Sequence, residues 1–339
     1  MKEKTKKRQK RKMKKKSEYS PTPEDLVTYL KYIHSNIDDS RCSIIPKEYQ
    51  AITLEKANGE FEKYTDHDMQ RLKPLEDYLN DVFSKFLADG LRDLFNESVR
   101  VGILYSSDQS ARVYSTKDNH YAIMYDYTLV MLMKTHLSFM LAYNRPQDVR
   151  FCNLGDTENM TQEFYRNEHN KFLKNVMYSR QKPIVYPLFK FEGIARSLLT
   201  IEMYTFDFFI IGHELTHIAN GDLRPIETES EEIFFQEASY KVNTESHERE
   251  YFADLGACSI YFRLIKGLGF DIKKEDAMKS TIDYFVLLHF LGDSFSETHP
   301  HPLDRASFLI DSFLGENYNG FLRQEVDRFS PDKESKTNN

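Results

Sequence analysis

The sequence predicts an α+β fold that is mainly helical and contains one small antiparallel sheet. Apolar residues recur at helical spacing along most of the chain, but between residues 99 and 128 they alternate with other residues at period two. A long segment, 195–220, is apolar on nearly every side. These three patterns are typical of amphipathic helices, of half-buried strands and of a central buried helix, respectively.

The elements that precede this long segment are of both types. In chain order they are helices at 24–37 and 75–95 (interrupted near Gly90), strands at 99–105, 111–115 and 120–128, and helices at 129–142 and 161–180. Polar segments, SSDQS and TKDN, separate the strands, and short turns of this kind join antiparallel neighbours. We therefore expect the three strands to form one mainly antiparallel sheet.

The predicted helix at 195–220 is followed by three shorter helices. Asn220 and Gly221 end the long helix, because these residues tolerate the left-handed conformation that terminates helices. The spacing of apolar residues then predicts helices at about 245–266, 275–291 and 302–314. Pro302 suits the first turn of the last helix, where a backbone N–H is not needed.

The chain has 339 residues, of which 40% are hydrophobic and 14% aromatic, and this is enough to bury a large core. We expect a single domain over residues 21–330, with a helical N-terminal part at 21–96 and the core at 97–315. A disordered basic arm (1–20) and a disordered tail (331–339) flank this domain. The three cysteines lie far apart without CxxC spacing, which favours a reducing, cytoplasmic location over a disulfide framework.

Charge is distributed unevenly along the chain. Residues 1–16 carry eleven Lys or Arg and one Glu, whereas the rest of the chain has 35 basic and 52 acidic side chains, a net charge of −17. The arm's positive charge provides salt-dependent affinity for phosphates, so contact of residues 2–16 with a nucleic acid or ribosome is one interpretation, and a solvated tail is the other. Membrane-surface attachment is less favoured because no apolar or acylated anchor accompanies the arm. No apolar run is long enough to predict a transmembrane helix.

The segment IIGHELTHIANGD carries His213 and His217 on the most hydrophobic predicted helix. Four residues turn a helix by about 400°, so the two imidazoles lie on one face, about 6 Å apart. They can share one tetrahedral metal ion, with Glu214 beside the position of a bound water. A chance match would fall more readily on an exposed helix. Because burying these polar side chains is costly unless a metal ion binds them, we predict a zinc site.

A third ligand is expected on a later helix. The segment ESHEREYFADLGA offers five candidates: Glu245, His247, Glu248, Glu250 and Asp254. Glu250 is favoured as the ligand, because Asp254 shares its face and can accept the free ring N–H of His213. Small residues, Ala253 and Ala257, permit close approach of the two helices. An acidic first turn that complements the helix dipole explains the earlier acids, but not Asp254, which lies two turns into an apolar stretch.

The segment SETHPHPLDRASFL combines His299 with Arg305. His299 precedes a proline, which favours an extended backbone, and a histidine held in this way can donate to the oxyanion of a tetrahedral intermediate. Arg305 can anchor this loop or hold a carboxylate, and we place it with Asp254 behind the ligands. Ordinary capping of the helix that begins at Pro302 is an equally good interpretation.

In this order, HELTH, EYFAD and THPHPLDR resemble the motifs of the gluzincin zinc metallopeptidases. They are similar to those of the integral-membrane CAAX-processing proteases. They are closer to those of the soluble phage-exclusion peptidases of the Lit group, which place an arginine six residues after the histidine of THP, as His299 and Arg305 stand here. EREYFAD has two residues more than the EREAD segment of that group, so we align its last five residues, Glu250 to Asp254. The resemblance covers about residues 95–315.

The resemblance implies a zincin-like fold and a role for each matching residue. These roles are zinc ligation by His213, His217 and Glu250, general base catalysis by Glu214, support of a ligand by Asp254 and transition-state stabilisation by His299. The family also has a strand before the HExxH helix that can receive the substrate, and HYAIMYDYT (120–128) lies in the matching place. An internal strand is the alternative interpretation of this segment.

The function implied is that of a zinc-dependent endopeptidase acting on a cytosolic protein, with a role in phage exclusion (abortive infection). The alternative from another class is a nucleic-acid- or ribosome-binding protein with a structural zinc site, which the basic arm favours. The acidic body of the chain and the glutamate of HExxH, which a structural site does not need, favour the enzyme.

Overall fold

The computed structural model is mainly helical, with a few short strands. It describes residues 22–36, 67–104, 110–116, 118–151, 161–178, 186–223, 231–235, 238–242, 244–292, 296, 298–315 and 318–329. The predicted basic arm (1–20) and tail (331–339) lie outside these residues, as does Tyr105 of the first predicted strand.

Helices and strands are numbered here in chain order. The helices are α1 (Pro23–Asn36), α2 (His67–Phe86), α3 (Asp89–Ser98), α4 (Tyr127–Asn144), α5 (Gln162–Tyr178), α6 (Ile194–Asn220), α7 (Thr244–Gly267), α8 (Lys274–Phe290), α9 (Pro302–Phe313) and α10 (Asn319–Phe329). The strands are β1 (Val99–Leu104), β2 (Ala111–Ser115), β3 (Tyr121–Asp126), β4 (Val149–Phe151), β5 (Phe189–Phe191), β6 (Glu231–Phe235) and β7 (Ala238–Val242). Helices α6 to α9 begin and end within one residue of the predicted positions.

The three-stranded sheet is mixed, which differs from the predicted antiparallel arrangement. Its strand order is β1-β3-β2, with β1 parallel and β2 antiparallel to β3. The strands β1 and β2 follow each other in the chain but are not neighbours, because β3 inserts between them. Helices cover both faces of β1 and β3, and burial of both faces is the setting in which parallel pairing occurs.

Each face of this sheet has its own apolar contacts. One face packs on α1 through Leu26, Val27, Leu30, Leu104, Tyr114, Ala122 and Met124. The other face joins the main core, where Val101, Ile103 and Tyr125 are buried. Gly102 permits the first contact, because a Cβ at this position would lie 2.6 Å from Val27 Cγ1. The sheet is therefore held between α1 and the main body of helices.

Helix α6 lies in the core and makes its most extensive contact, among the described elements, with α7. Glycines bring the two helices together. A Cβ on Gly256 would lie 2.5 Å from the side chain of Thr216, and a Cβ on Gly212 would lie 3.3 Å from the Cα of Ala257. Because both positions lack a side chain, the two backbones approach closely, and this contact sets the distance between the predicted ligands on the two helices.

Within the described residues, none of the helices has both the length and the apolar character needed to cross a bilayer.

Candidate metal centre

His213 and His217 lie one turn apart near the C-terminal end of α6. Most residues around them on this helix are buried, so the two rings are placed by a rigid element of the core. Their Nε2 atoms point toward each other at 3.1 Å, and the two side chains are 12% and 13% exposed. The predicted shared face is therefore present, and it opens toward solvent on one side.

Glu250 on α7 completes a group of three converging side chains. Its Oε2 atom lies 3.5 Å from His213 Nε2, and its Oε1 atom lies 3.5 Å from His217 Nε2. In a tetrahedral site with bonds of about 2.0–2.1 Å, neighbouring ligand atoms are about 3.3 Å apart, so these separations fit one metal ion. Within the described part of the chain, these three residues alone form a group of three or more His, Cys, Asp or Glu side chains with ligand atoms within 4.8 Å of one another.

Behind His213 lies a buried carboxylate that is itself held by an arginine. The Nδ1 atom of His213 is 3.0 Å from Asp254 Oδ1, and Arg305 donates to both oxygens of Asp254 at 2.8 and 2.7 Å. Burial alone would raise the pKa of Asp254, but Arg305 and His213 outweigh burial and lower it. Asp254 is therefore an anion that can hold the Nδ1–H of His213 and leave Nε2 free to ligate. Arg305 also reaches Glu250 Oε2 at 3.2 Å.

Behind His217 lies Asp222, a residue outside the predicted site. Its Oδ2 atom is 3.1 Å from His217 Nδ1, so each histidine of the pair has its own carboxylate partner. The sequence signal is the aspartate that directly follows the glycine terminating the helix, five residues after His217. Asn220 and Gly221, the two residues before it, predicted only the end of the helix.

The three converging side chains affect one another's proton affinities. Burial alone would lower the pKa of His213, but Asp254 and Glu250 outweigh burial and raise it to about 10. Burial alone would raise the pKa of Glu250, but the two histidines and Arg305 hold it well below its usual range. Because only a neutral imidazole can ligate a metal ion, metal binding at this group must displace a proton.

Glu214 lines the same cleft beside the two histidines and Glu250. Burial raises the pKa of its carboxyl, although His213 and His217 act in the opposite direction. A carboxyl whose pKa is raised binds a proton more readily than an ordinary glutamate does. Glu214 therefore lies in the same cleft as the three converging side chains, with an increased affinity for a proton.

His299 approaches the centre from the loop before α9. Its Nε2 atom lies 3.6 Å from Glu250 Oε1, its side chain is 58% exposed, and it lines the cleft. On its other side, the Nδ1 atom lies 2.8 Å from Thr298 Oγ1. His301, rather than His299, caps α9, because its Nδ1 atom accepts a hydrogen bond from the N–H of Leu303. The capping interpretation therefore applies to His301 and leaves His299 facing the cleft.

The first turn of α7 fixes the loop that carries His299. His247 donates from Nε2 to the carbonyl of Ser296 at 3.0 Å, and the Ser246 hydroxyl donates to the carbonyl of Thr298 at 2.8 Å. Of the other candidates for the third ligand, Glu245 pairs with Arg249 and Glu248 is exposed. Neither of these acids nor His247 belongs to the group of converging ligands.

The cleft has a volume of about 340 Å³ and is bounded on one side by the sheet. Its walls are formed by Ala111, Arg112, Val113, Tyr114, His213, Glu214, His217, Glu250 and His299. The strand beside the centre is thus β2, at the edge of the sheet. The sequence allows two interpretations of the segment 120–128, a substrate-receiving strand and an internal strand. Residues 121–126 of this segment form β3, which is paired on both sides. The internal strand is therefore the correct interpretation, because β3 has no free edge for a substrate.

Comparisons of the chain with models of protein families, with curated proteins and with solved structures find no match.

Proposed function

We propose that this protein is a zinc-dependent endopeptidase that hydrolyses peptide bonds of a cytosolic protein. The observation that carries the proposal is the convergence of two imidazoles and one carboxylate at tetrahedral spacing, with Glu214 beside them in an open cleft. Two nitrogen ligands, one oxygen ligand and a position left open are typical of catalytic zinc. A structural zinc site is closed by four protein ligands, and it does not need an adjacent glutamate.

The residues of the cleft divide the chemistry between them. When bound, a zinc ion acts as a Lewis acid and lowers the pKa of a water ligand toward about 7. Glu214 accepts the proton of the attacking water and returns it to the leaving amine. His299 donates from its ring to the oxyanion that forms at the scissile carbonyl. Asp254 and Asp222 keep the histidine Nε2 atoms aimed at the centre.

The edge of β2 supports the assignment of a peptide substrate. Ser110 accepts from the N–H of Asp126, and Thr116 donates to the carbonyl of His120. These bonds show that the even-numbered residues of β2 face β3. The N–H and C=O groups of Ala111 and Val113 therefore point away from β3, toward the cleft side. An extended peptide can add to this edge by main-chain hydrogen bonds and pass its scissile bond over the centre.

The proposal is tested by the Glu214→Gln variant. We expect this variant to bind zinc as the wild type does and to lose at least about 100-fold in cleavage rate, because the amide cannot accept the proton of water. The probe is a mixture of unstructured peptides, with new termini detected by mass spectrometry and metal content measured on the same samples. Glu248→Gln, which changes an exposed acid of α7, is the matched control and should cleave normally.

Two results would contradict the proposal. One is normal cleavage by Glu214→Gln, or no cleavage at all by the zinc-loaded wild type. The other is a protein that takes up iron instead of zinc, because two histidines and a carboxylate are also the ligand set of non-haem iron oxygenases.

The basic arm supports a second candidate, binding to nucleic acid or ribosomes through residues 2–16. Deleting these residues separates the two functions. Loss of RNA binding with unchanged cleavage would make the arm an accessory of the peptidase. A role in phage exclusion rests on the resemblance of the three motifs alone.

A further inference from the structure

We propose that Asp222 and Arg249 are positioning residues that hold His217 in the orientation required for metal binding. The inference rests on the proposed zinc site, and it concerns a carboxylate and an arginine outside the three motifs. His213 is backed by Asp254, which is held by Arg305. His217 is backed by Asp222, whose backbone carbonyl accepts a hydrogen bond from Arg249. Each histidine of the centre is thus connected through an aspartate to an arginine.

The end of α6 places Asp222 by backbone geometry. Gly221 has a φ of 77°, a left-handed conformation that glycine adopts without strain. This turn folds the chain back, so that the N–H of Asp222 donates to the carbonyl of His217 at 3.0 Å. The side chain of the same residue then reaches Nδ1 of His217 at 3.1 Å. The helix end and the orientation of the ring are therefore fixed by one residue.

Arg249 ties this turn to α7, the helix that provides Glu250. Its Nη1 donates to the carbonyl of Asp222 at 2.9 Å, and its Nε lies 3.9 Å from Asp222 Oδ1. The other side of its guanidinium pairs with Glu245, one turn earlier on α7. The side chains of Asp222 and Arg249 are 13% and 21% exposed, so water competes weakly for these contacts. Arg249, which directly precedes the third ligand Glu250, thus holds Asp222, the residue that supports His217.

The chemical consequence is a fixed tautomer. An anionic carboxylate at Nδ1 keeps the proton on that atom and leaves the Nε2 lone pair for the metal ion, and it also makes the imidazole a stronger donor. Without Asp222 the ring can turn about its side-chain bonds or bind its proton on Nε2. Both changes remove one of the three metal ligands from the centre.

The test is the zinc affinity of the full-length protein, measured by competition with a chromophoric chelator. We expect Asp222→Ala to weaken zinc binding by about 10–100-fold, as is typical for loss of such a partner. Asp222→Asn, which keeps an acceptor oxygen, should lose less. Arg249→Ala should lose less than Asp222→Ala, and adding it to Asp222→Ala should cause no further loss, because Arg249 acts through Asp222.

The matched control is Asp148→Ala, which also removes a partly buried aspartate that pairs with an arginine beyond a helix end. This variant should bind zinc as the wild type does. The inference is overturned if Asp222→Ala retains wild-type affinity, or if Asp148→Ala loses as much. Melting temperatures without metal show whether each variant is folded, and Asp222→Asn carries the test if Asp222→Ala is not. Failure of the wild type to bind zinc would instead contradict the proposed function.

Discussion

Asp207 lies six residues before His213 on α6, and its carboxyl is buried against Tyr125. The Tyr125 hydroxyl donates to Asp207 Oδ1 at 2.7 Å. Burial raises the pKa of Asp207 from 3.8 to about 7, although this hydrogen bond acts in the opposite direction. Burial likewise raises the pKa of Glu202, five residues earlier, to about 7. The core helix therefore carries carboxyls whose ionisation opposes folding near neutral pH.

The Asp207→Asn variant tests this effect on stability. A carboxyl whose pKa is raised on folding stabilises the protein in its protonated form, fully below pH 3.8, and this stabilisation is lost as pH rises through 7. The asparagine cannot ionise. We therefore expect the wild type to lose about 2 kcal/mol more than the variant between about pH 5 and about pH 7.5. Urea unfolding at the two pH values measures the difference, and parallel curves would show that Asp207 does not titrate in this range.

Among the elements, strand β2 forms one wall of the cleft. A proline substitution can test whether a substrate pairs with its outer edge. Val113→Pro removes an N–H that points away from β3, and proline is tolerated on an edge strand at such positions. If substrate pairs with this edge, the Michaelis constant for the best-cleaved peptide should rise several-fold while the melting temperature stays close to that of the wild type.

Arg112→Pro provides the contrast, because the N–H of Arg112 faces β3 and its loss breaks the sheet. This variant should melt at a lower temperature, whatever its effect on cleavage. An unchanged Michaelis constant for Val113→Pro, in a protein of normal stability, would place the substrate elsewhere in the cleft.

Helices were easier to predict from the sequence than strand order. The long apolar stripes of α6 and its successors define both the type and the ends of those helices, because burial of one face repeats every 3.6 residues. The alternation of residues along β1 and β3 also predicted which side chains share a face of the sheet. It carries no information on strand direction, however, so the insertion of β3 between β1 and β2 was not predictable. The strands β4 and β5 have three residues each, which is too short to show a periodic pattern of apolar residues.

The residues of the site differ in how far sequence could predict them. The spacing of His213 and His217 along one helix is local, and so their common face follows from helical geometry alone. Glu250 could be selected from several acids only by assuming which helix packs on α6. Asp222 was missed because its approach to His217 depends on a left-handed glycine, which marks a helix end in sequence but does not indicate where the next side chain points.

The centre joins α6 and α7, which form the most extensive helix–helix contact among the described elements. A ligand that binds only the folded state adds RT ln(1 + [L]/Kd), which is about 2.7 kcal/mol at a hundredfold excess over Kd. Removing zinc with a chelator should therefore lower the melting temperature of the wild type by about 5 °C. The double variant His213→Ala/His217→Ala should show no such response. A wild type that melts unchanged after measured loss of zinc would contradict this expectation.

The close packing of α6 on α7 at Gly212 and at Gly256 has a consequence for the divergence of proteins with this arrangement. The contact between the two backbones determines the distance between the imidazoles and the carboxylate. The segment that connects α6 to α7 therefore does not determine this distance. Insertions and deletions between Asp222 and Thr244 should be tolerated, whereas a single added methyl at residue 256 should not. Distant relatives should accordingly vary in length after Asp222 and keep small residues at both helix faces.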